Sequence, residues 1–133
     1  MFDIGTQLKV EGINKKVTIY GVGIDINTRK VSKLNETDTF MVCNNDYKFL
    51  VVYDEDGESY EAMIDYNDVL EIVKDQCYDR PKFELLDKVK KGKTKGIVIF
   101  IEYYEEGFEY TILVEDGYGG FDKLIAYESE FKY

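Results

Sequence analysis

Histidine and tryptophan are absent from this chain of 133 residues, and there are only one proline and two cysteines. Without histidine there is no imidazole general base, no Ser-His-Asp or Cys-His machinery and no zinc centre with His ligands. The thiols of Cys43 and Cys77 form no C-x-x-C pair and are too few to close a structural zinc site. Cys43 lies in the apolar run Thr39–Cys43 and reads as a small core residue. No cofactor and no metal are expected. No apolar run approaches the ~20 residues that a membrane-spanning helix needs. The opening MFDIGTQLKV has neither the basic start nor the apolar centre of a secretory signal. A cytoplasmic protein without membrane contact is the expectation.

What the chain does have is acid, tyrosine and short apolar runs. Hydrophobic residues make up 44%, enough for a packed core. Against 17 Lys and Arg stand 27 Asp and Glu, a net charge of −10. The layout is uneven. Residues 34–73 carry 11 acids against the single Lys48, a net of −10, and residues 99–131 carry nine against the single Lys123, a net of −8. Between them, residues 80–95 carry seven basic residues against Glu84 and Asp87, a net of +5. An acidic excess repels phosphate and opposes general affinity for nucleic acid.

Tyr, Phe, Val and Ile fill the apolar positions and suit pleated strands. Candidate strands are Gln7–Val10, Lys16–Ile24, Thr39–Cys43, Lys48–Tyr53, Ser59–Ile64 and Leu70–Val73 in the first half. In the second half they are Asp87–Lys90, Gly96–Tyr103, Glu109–Val114, Gly120–Tyr127 and Glu130–Tyr133. Glu11-Gly12, Asp56-Gly57, Lys91-Gly92, Glu106-Gly107 and Asp116-Gly117 mark turns. Residues 65–75 would also fit a two-turn helix with Asn67 as N-cap. A 3₁₀ turn at Tyr66–Val69 followed by a short strand is preferred, because an internal repeat supports it. With an offset of 61, residues 60–70 align with 121–131, matching Tyr60 to Phe121, Met63-Ile64 to Leu124-Ile125 and Tyr66 to Tyr127. The openings agree as well, Phe2-Asp-Ile-Gly-Thr against Phe83-Glu-Leu-Leu-Asp. Ordered agreement at start, turn and end is the mark of repetition.

The second copy reads F-E-L-L-D-K-V-K-K-G-K-T-K-G-I-V-I-F-I-E, then Y-T-I-L-V-E-D-G, then L-I-A-Y-E-S-E-F. It resembles SH3-like small barrels of the KOW type, with Leu86 where that pattern has Gly. The resemblance implies an all-β chain of two tandem SH3-like barrels with short 3₁₀ turns. The first would span residues 1–73 with a long insertion near 27–46, residues 74–82 would be a linker, and the second barrel would span 83–133. The acidic, Tyr-rich, His-free make-up is also similar to short bacteriophage proteins, among them anti-CRISPR inhibitors of host defence. That likeness implies a non-catalytic inhibitor working in the host cytoplasm.

The candidate site residues follow. Asp54, Asp56 and Glu58 crowd one turn, and Glu105, Glu106 and Glu109 another. With Tyr118 of a Gly-rich turn they form the expected surface for a protein partner with a basic face, such as a host defence nuclease. Whether Tyr118 is an anchor or is merely exposed stays open. The first group spaces its acids like the start of a calcium loop, but Ser59 stands where the sixth-position Gly belongs, so a solvated hairpin tip is expected. Carboxylates on a short turn are too solvated for acid–base catalysis. Gly21-Val22-Gly23 lacks the Lys-Ser/Thr of a phosphate loop. The alternative function is nucleic-acid binding through Lys88, Lys90, Lys91, Lys93 and Lys95.

Overall fold

Glycine and aspartate set the strand boundaries by accepting backbone angles that β-branched neighbours refuse. At Asp56-Gly57 both residues take positive φ, 52° and 81°, the geometry of a tight two-residue hairpin. The computed structural model describes residues 2–25, 46–75 and 79–130. Among the described residues nine strands form one antiparallel sheet: β1 (Gln7–Val10), β2 (Ile13–Ile24), β3 (Tyr47–Glu55), β4 (Glu58–Asp65), β5 (Val69–Lys74), β6 (Lys88–Lys91), β7 (Thr94–Tyr104), β8 (Gly107–Glu115) and β9 (Phe121–Tyr127). Two 3₁₀ turns, Tyr66–Asp68 and Glu128–Glu130, follow β4 and β9. The fold is all-β, and residues 65–75 form the 3₁₀ turn and strand rather than a helix. The expected strand Thr39–Cys43, most of the insertion, both cysteines and residues 131–133 lie outside the described residues.

The strand order is β4-β3-β2-β7-β8-β9, with β1 bridging β2 and β5, and β6 flanking β7. This order is a palindrome, because the two halves repeat one plan. Gly5 N–H donates to the Ile19 carbonyl and Ile19 N–H to Thr6, while Leu86 N–H donates to Val98 and Val98 N–H to Asp87. Each half also carries one irregularity in its second ladder, between Ile19 and Gly21 and between Val98 and Phe100. Leu86 holds φ 71° where its counterpart Gly5 holds 95°. A left-handed leucine costs roughly 1–2 kcal/mol, which packing against Ile24, Ile97, Ile99 and Leu113 offsets.

The register corrects the sequence alignment at the far end of each half. Phe49 faces Ile64, and its counterpart Tyr110 faces Ala126. Ile64 therefore matches Ala126, and both are buried, while Met63 matches Ile125, and both are 61% exposed. The offset there is 62. Aligning like with like, Met-Ile on Leu-Ile, misplaced the register by one residue, which exchanges the two faces of a strand. Tyr66 thus corresponds to Glu128 and not to Tyr127. In the first half the Tyr66 ring stacks on Phe2, at 5.2 Å. In the second, the Tyr110 hydroxyl donates to Glu128 at 2.5 Å and accepts the Phe83 N–H at 3.3 Å.

The halves join where β2 meets β7, pairing Gly21 with Glu102, Val22 with Ile101 and Gly23 with Phe100. Val22 and Ile101 are themselves counterparts, so a local pseudo-two-fold axis passes between them. The sheet buries one core cluster drawn from both halves, including Leu8, Ile19, Phe49, Val98, Ile101 and Tyr110. On the opposite face the Phe100 ring lies across the joint, and a Cβ on Gly23 would sit 2.0 Å from it. Gly21-Val22-Gly23 is therefore the seat for this ring, at the C-terminal end of β2.

Two outcomes are expected. Gly23→Ala displaces Phe100 and destabilises the protein by about 1–3 kcal/mol, and chemical denaturation shows most of that loss recovered in a Phe100→Ala background. Tyr110→Phe removes the acceptor of a buried N–H and a charge-assisted bond, and costs about 1–3 kcal/mol. Burial, then the bond to Glu128, raises the Tyr110 phenol well above its ordinary value near 10. A raised folded-state value gives stability that is complete below pH ~10 and is lost as pH climbs through the folded value. The thermal midpoint should accordingly fall above pH 10, and Tyr110→Phe should flatten that fall.

Candidate functional site

Strand direction decides which candidate residues share a neighbourhood. β3 and β7 both run antiparallel to β2, which lies between them. Their C-terminal hairpins therefore point to the same end of the sheet. One tip holds Asp54, Glu55, Asp56 and Glu58, all exposed, and the other holds Glu105 and Glu106, also exposed. Asp54 is fixed by the Ser59 hydroxyl at 2.7 Å and Glu58 by the Tyr60 hydroxyl at 3.0 Å. Tyr60 in turn stacks on Tyr53 at 5.6 Å. Asp54 pairs with Ser59 and Glu55 with Glu58 across the hairpin, so the calcium-like spacing folds into a plain turn. Among the described residues no cluster of three potential metal ligands occurs.

Tyr118 does not join these acids. It sits 96% exposed in the β8–β9 connection, at the opposite end of the sheet. Asp116 shapes that loop by accepting the Tyr118 N–H at 2.7 Å and the Gly120 N–H at 3.0 Å. The β6–β7 hairpin lies at this same end. Lys90 and Lys95 face each other across it, Lys88, Lys93 and Lys95 are exposed, and Lys91 reaches Glu130 at 3.5 Å. The two acidic hairpin tips thus share one end of the sheet, with Lys15 and Lys16 beside Asp54, while the β6–β7 lysines and Tyr118 share the other end with Glu115, Asp116 and Asp122.

Of the residues near the joint the sequence offered Glu109 as a candidate, but not Tyr20, Glu61 or Tyr104 beside it. One row of cross-strand neighbours runs Met63, Leu50, Gly21, Glu102, Glu109, Tyr127 over six strands. Within it Glu102 and Glu109 stand directly opposite each other, an arrangement that destabilises a sheet. The Tyr104 hydroxyl donates to Glu102. That bond, with burial and the charges of Glu102 and Glu109, raises the Tyr104 phenol far above its usual range. Tyr20, in the β2 irregularity, is pushed up to about 12, first by burial and then by Glu61, with Glu102 adding to it. Tyrosines thus remain protonated donors to carboxylates over this surface at any physiological pH. The only signal in the sequence was Glu102, Tyr104 and Glu109 lying on either side of one turn. Glu61 meets Tyr20 through the β2–β3 and β3–β4 ladders, and the β2–β7 pairing brings both beside them.

Glu109→Lys turns a like-charge cross-strand pair into an opposite-charge one. It should raise unfolding stability by up to about 1 kcal/mol while weakening any interaction that uses the acidic end. A loss of stability in urea denaturation would contradict this account of the pair. Searches of protein-family models, curated proteins and solved structures return no match to this chain.

Proposed function

We propose that this chain is a non-catalytic binding protein built as two tandem SH3-like small barrels sharing a sheet. Its acidic end occupies a basic, nucleic-acid-handling site on a partner protein. The observation that carries this reading is the convergence of two acidic hairpins on one end of the sheet, with Glu102 directly opposite Glu109. The make-up that resembles phage inhibitors of bacterial defence makes a host defence nuclease the favoured partner. Carboxylates held by Ser59, Tyr60 and Tyr104 present fixed negative charge, which steers a basic partner and sets register.

A second reading rests on the facing pair Lys90 and Lys95. In it Lys88, Lys90, Lys91, Lys93 and Lys95 bind nucleic acid from the other end, with Tyr118 beside them as a stacking ring.

Immobilised wild-type protein exposed to host lysate at 0.1 M salt should retain a basic protein and release it at 1 M, as the Debye length falls from about 10 Å to about 3 Å. The variant with Asp54, Asp56, Glu58, Glu105, Glu106 and Glu109 all changed to Lys should retain none. Capture that ignores salt and survives the reversal overturns the acidic-end reading. A gel shift of DNA or RNA that the five Lys→Ala changes abolish establishes the second.

A further inference from the structure

A cleft of about 280 Å³ opens on the core side of the β2–β7 joint, on the pseudo-two-fold axis. Its floor is the counterpart pair Val22 and Ile101, and Ile4 and Leu85, which are also counterparts, line it from the two halves. Phe2 and Tyr47 add aromatic wall. At the rim stand Asp3 and its counterpart Glu84, with Asp79 and Arg80 from the connection between the halves. All four rim residues are exposed. Three carboxylates against one guanidinium leave the mouth net negative.

We propose that this cleft is the anchor site for the partner, taking one aromatic or large aliphatic side chain flanked by Lys or Arg. The inference deepens the function proposed above and rests on it in taking the partner to be a basic protein. Three observations argue for that occupant. The volume is just below the range of small-molecule and cofactor pockets, about 300–1,000 Å³, and suits a single buried side chain. The floor is apolar and enclosed by both halves, which is the setting in which one anchor residue contributes most of an interface's affinity. The rim carries solvated carboxylates on both sides of the axis. Cations flanking the anchor on either side in sequence would each meet an acid, Asp3 on one side and Glu84 on the other.

The test titrates acetyl-Lys-Phe-Lys-amide into the full chain and follows the methyl resonances of Ile4, Val22, Leu85 and Ile101. Saturable shifts confined to these four groups are expected, with affinity at least about tenfold weaker for Asp3→Lys/Asp79→Lys/Glu84→Lys. These side chains sit in solvent, so that variant should keep the wild-type spectrum elsewhere. Acetyl-Lys-Ser-Lys-amide and acetyl-Glu-Phe-Glu-amide should produce no saturable shift at the four methyls. Shifts absent, equal for the serine peptide, or centred elsewhere overturn the proposal, as do contacts in the free protein from the chain's own residues to the four methyls. If the peptide fails while salt-sensitive capture from lysate persists, the cleft is refuted and the acidic-end reading stands. If capture fails too, both fall.

Discussion

The pairing of β2 with β7 is the contact on which everything else in this molecule depends. Each half alone would expose the C-terminal part of β2 or β7, which β1 and β6 leave uncovered, as an edge with unpaired N–H and C=O groups, a template for aggregation. Joining the edges covers both at once and merges two small cores into one. The joint makes a local demand. Two backbones and the Phe100 ring must share the space beside Gly21 and Gly23, where no side chain fits. The joint also fixes the direction of every hairpin. It sends the β3–β4 and β7–β8 tips to one end and the lysine hairpin to the other, and it sets the cleft between the halves on its axis.

The two halves share a plan and differ in how they fill it. Phe49, Ile64, Tyr66 and Phe2 make an aromatic and aliphatic corner in the first. Tyr110, Ala126, Glu128 and Phe83 occupy the same places in the second. A hydroxyl is added at Tyr110, while Ile64 is reduced to Ala126 and Tyr66 replaced by Glu128, so the second corner is smaller and more polar. The buried hydroxyl then needs a partner, and Glu128, drawn in by the Tyr110 O–H and by the Lys82 N–H at 2.6 Å, provides it. The 3₁₀ turns keep one device in both copies. A backbone N–H at the turn's start donates to an acid three residues on, Asp65 to Asp68 and Tyr127 to Glu130, each at 2.8 Å.

Much of this was legible in the residues, because turns and strands are local. Asp-Gly and Glu-Gly pairs marked the hairpins, and the repeated openings at Phe2 and Phe83 marked the two copies. The register of β9 was not legible. Met63-Ile64 and Leu124-Ile125 look alike as side chains, and only the partner strand reveals that Ala126 holds the core position. The β2–β7 joint was hidden for a related reason. Gly21-Val22-Gly23 read as a failed phosphate loop, since nothing in its own stretch names Phe100 as the ring it accommodates. Asp56, Glu105 and Glu106 lie in the turns themselves and Glu109 lies within β8, while the convergence of the two tips on one end, and the distance of Tyr118 from them, follow from strand direction across the joint.

The shared acidic end and the cleft both require the two copies to behave as one body through that joint. Native-state hydrogen exchange at the amides of residues 21–23 and 100–102, compared with those of Ile19, Phe49, Val98 and Tyr110, tests this most directly. The account predicts that the joint and both cores exchange only through one global opening, with a common free energy and a common dependence on denaturant. If the joint opens well below the global free energy while each half stays protected, the copies are independent domains in loose contact. The shared acidic end and the cleft on the axis would then have no fixed geometry.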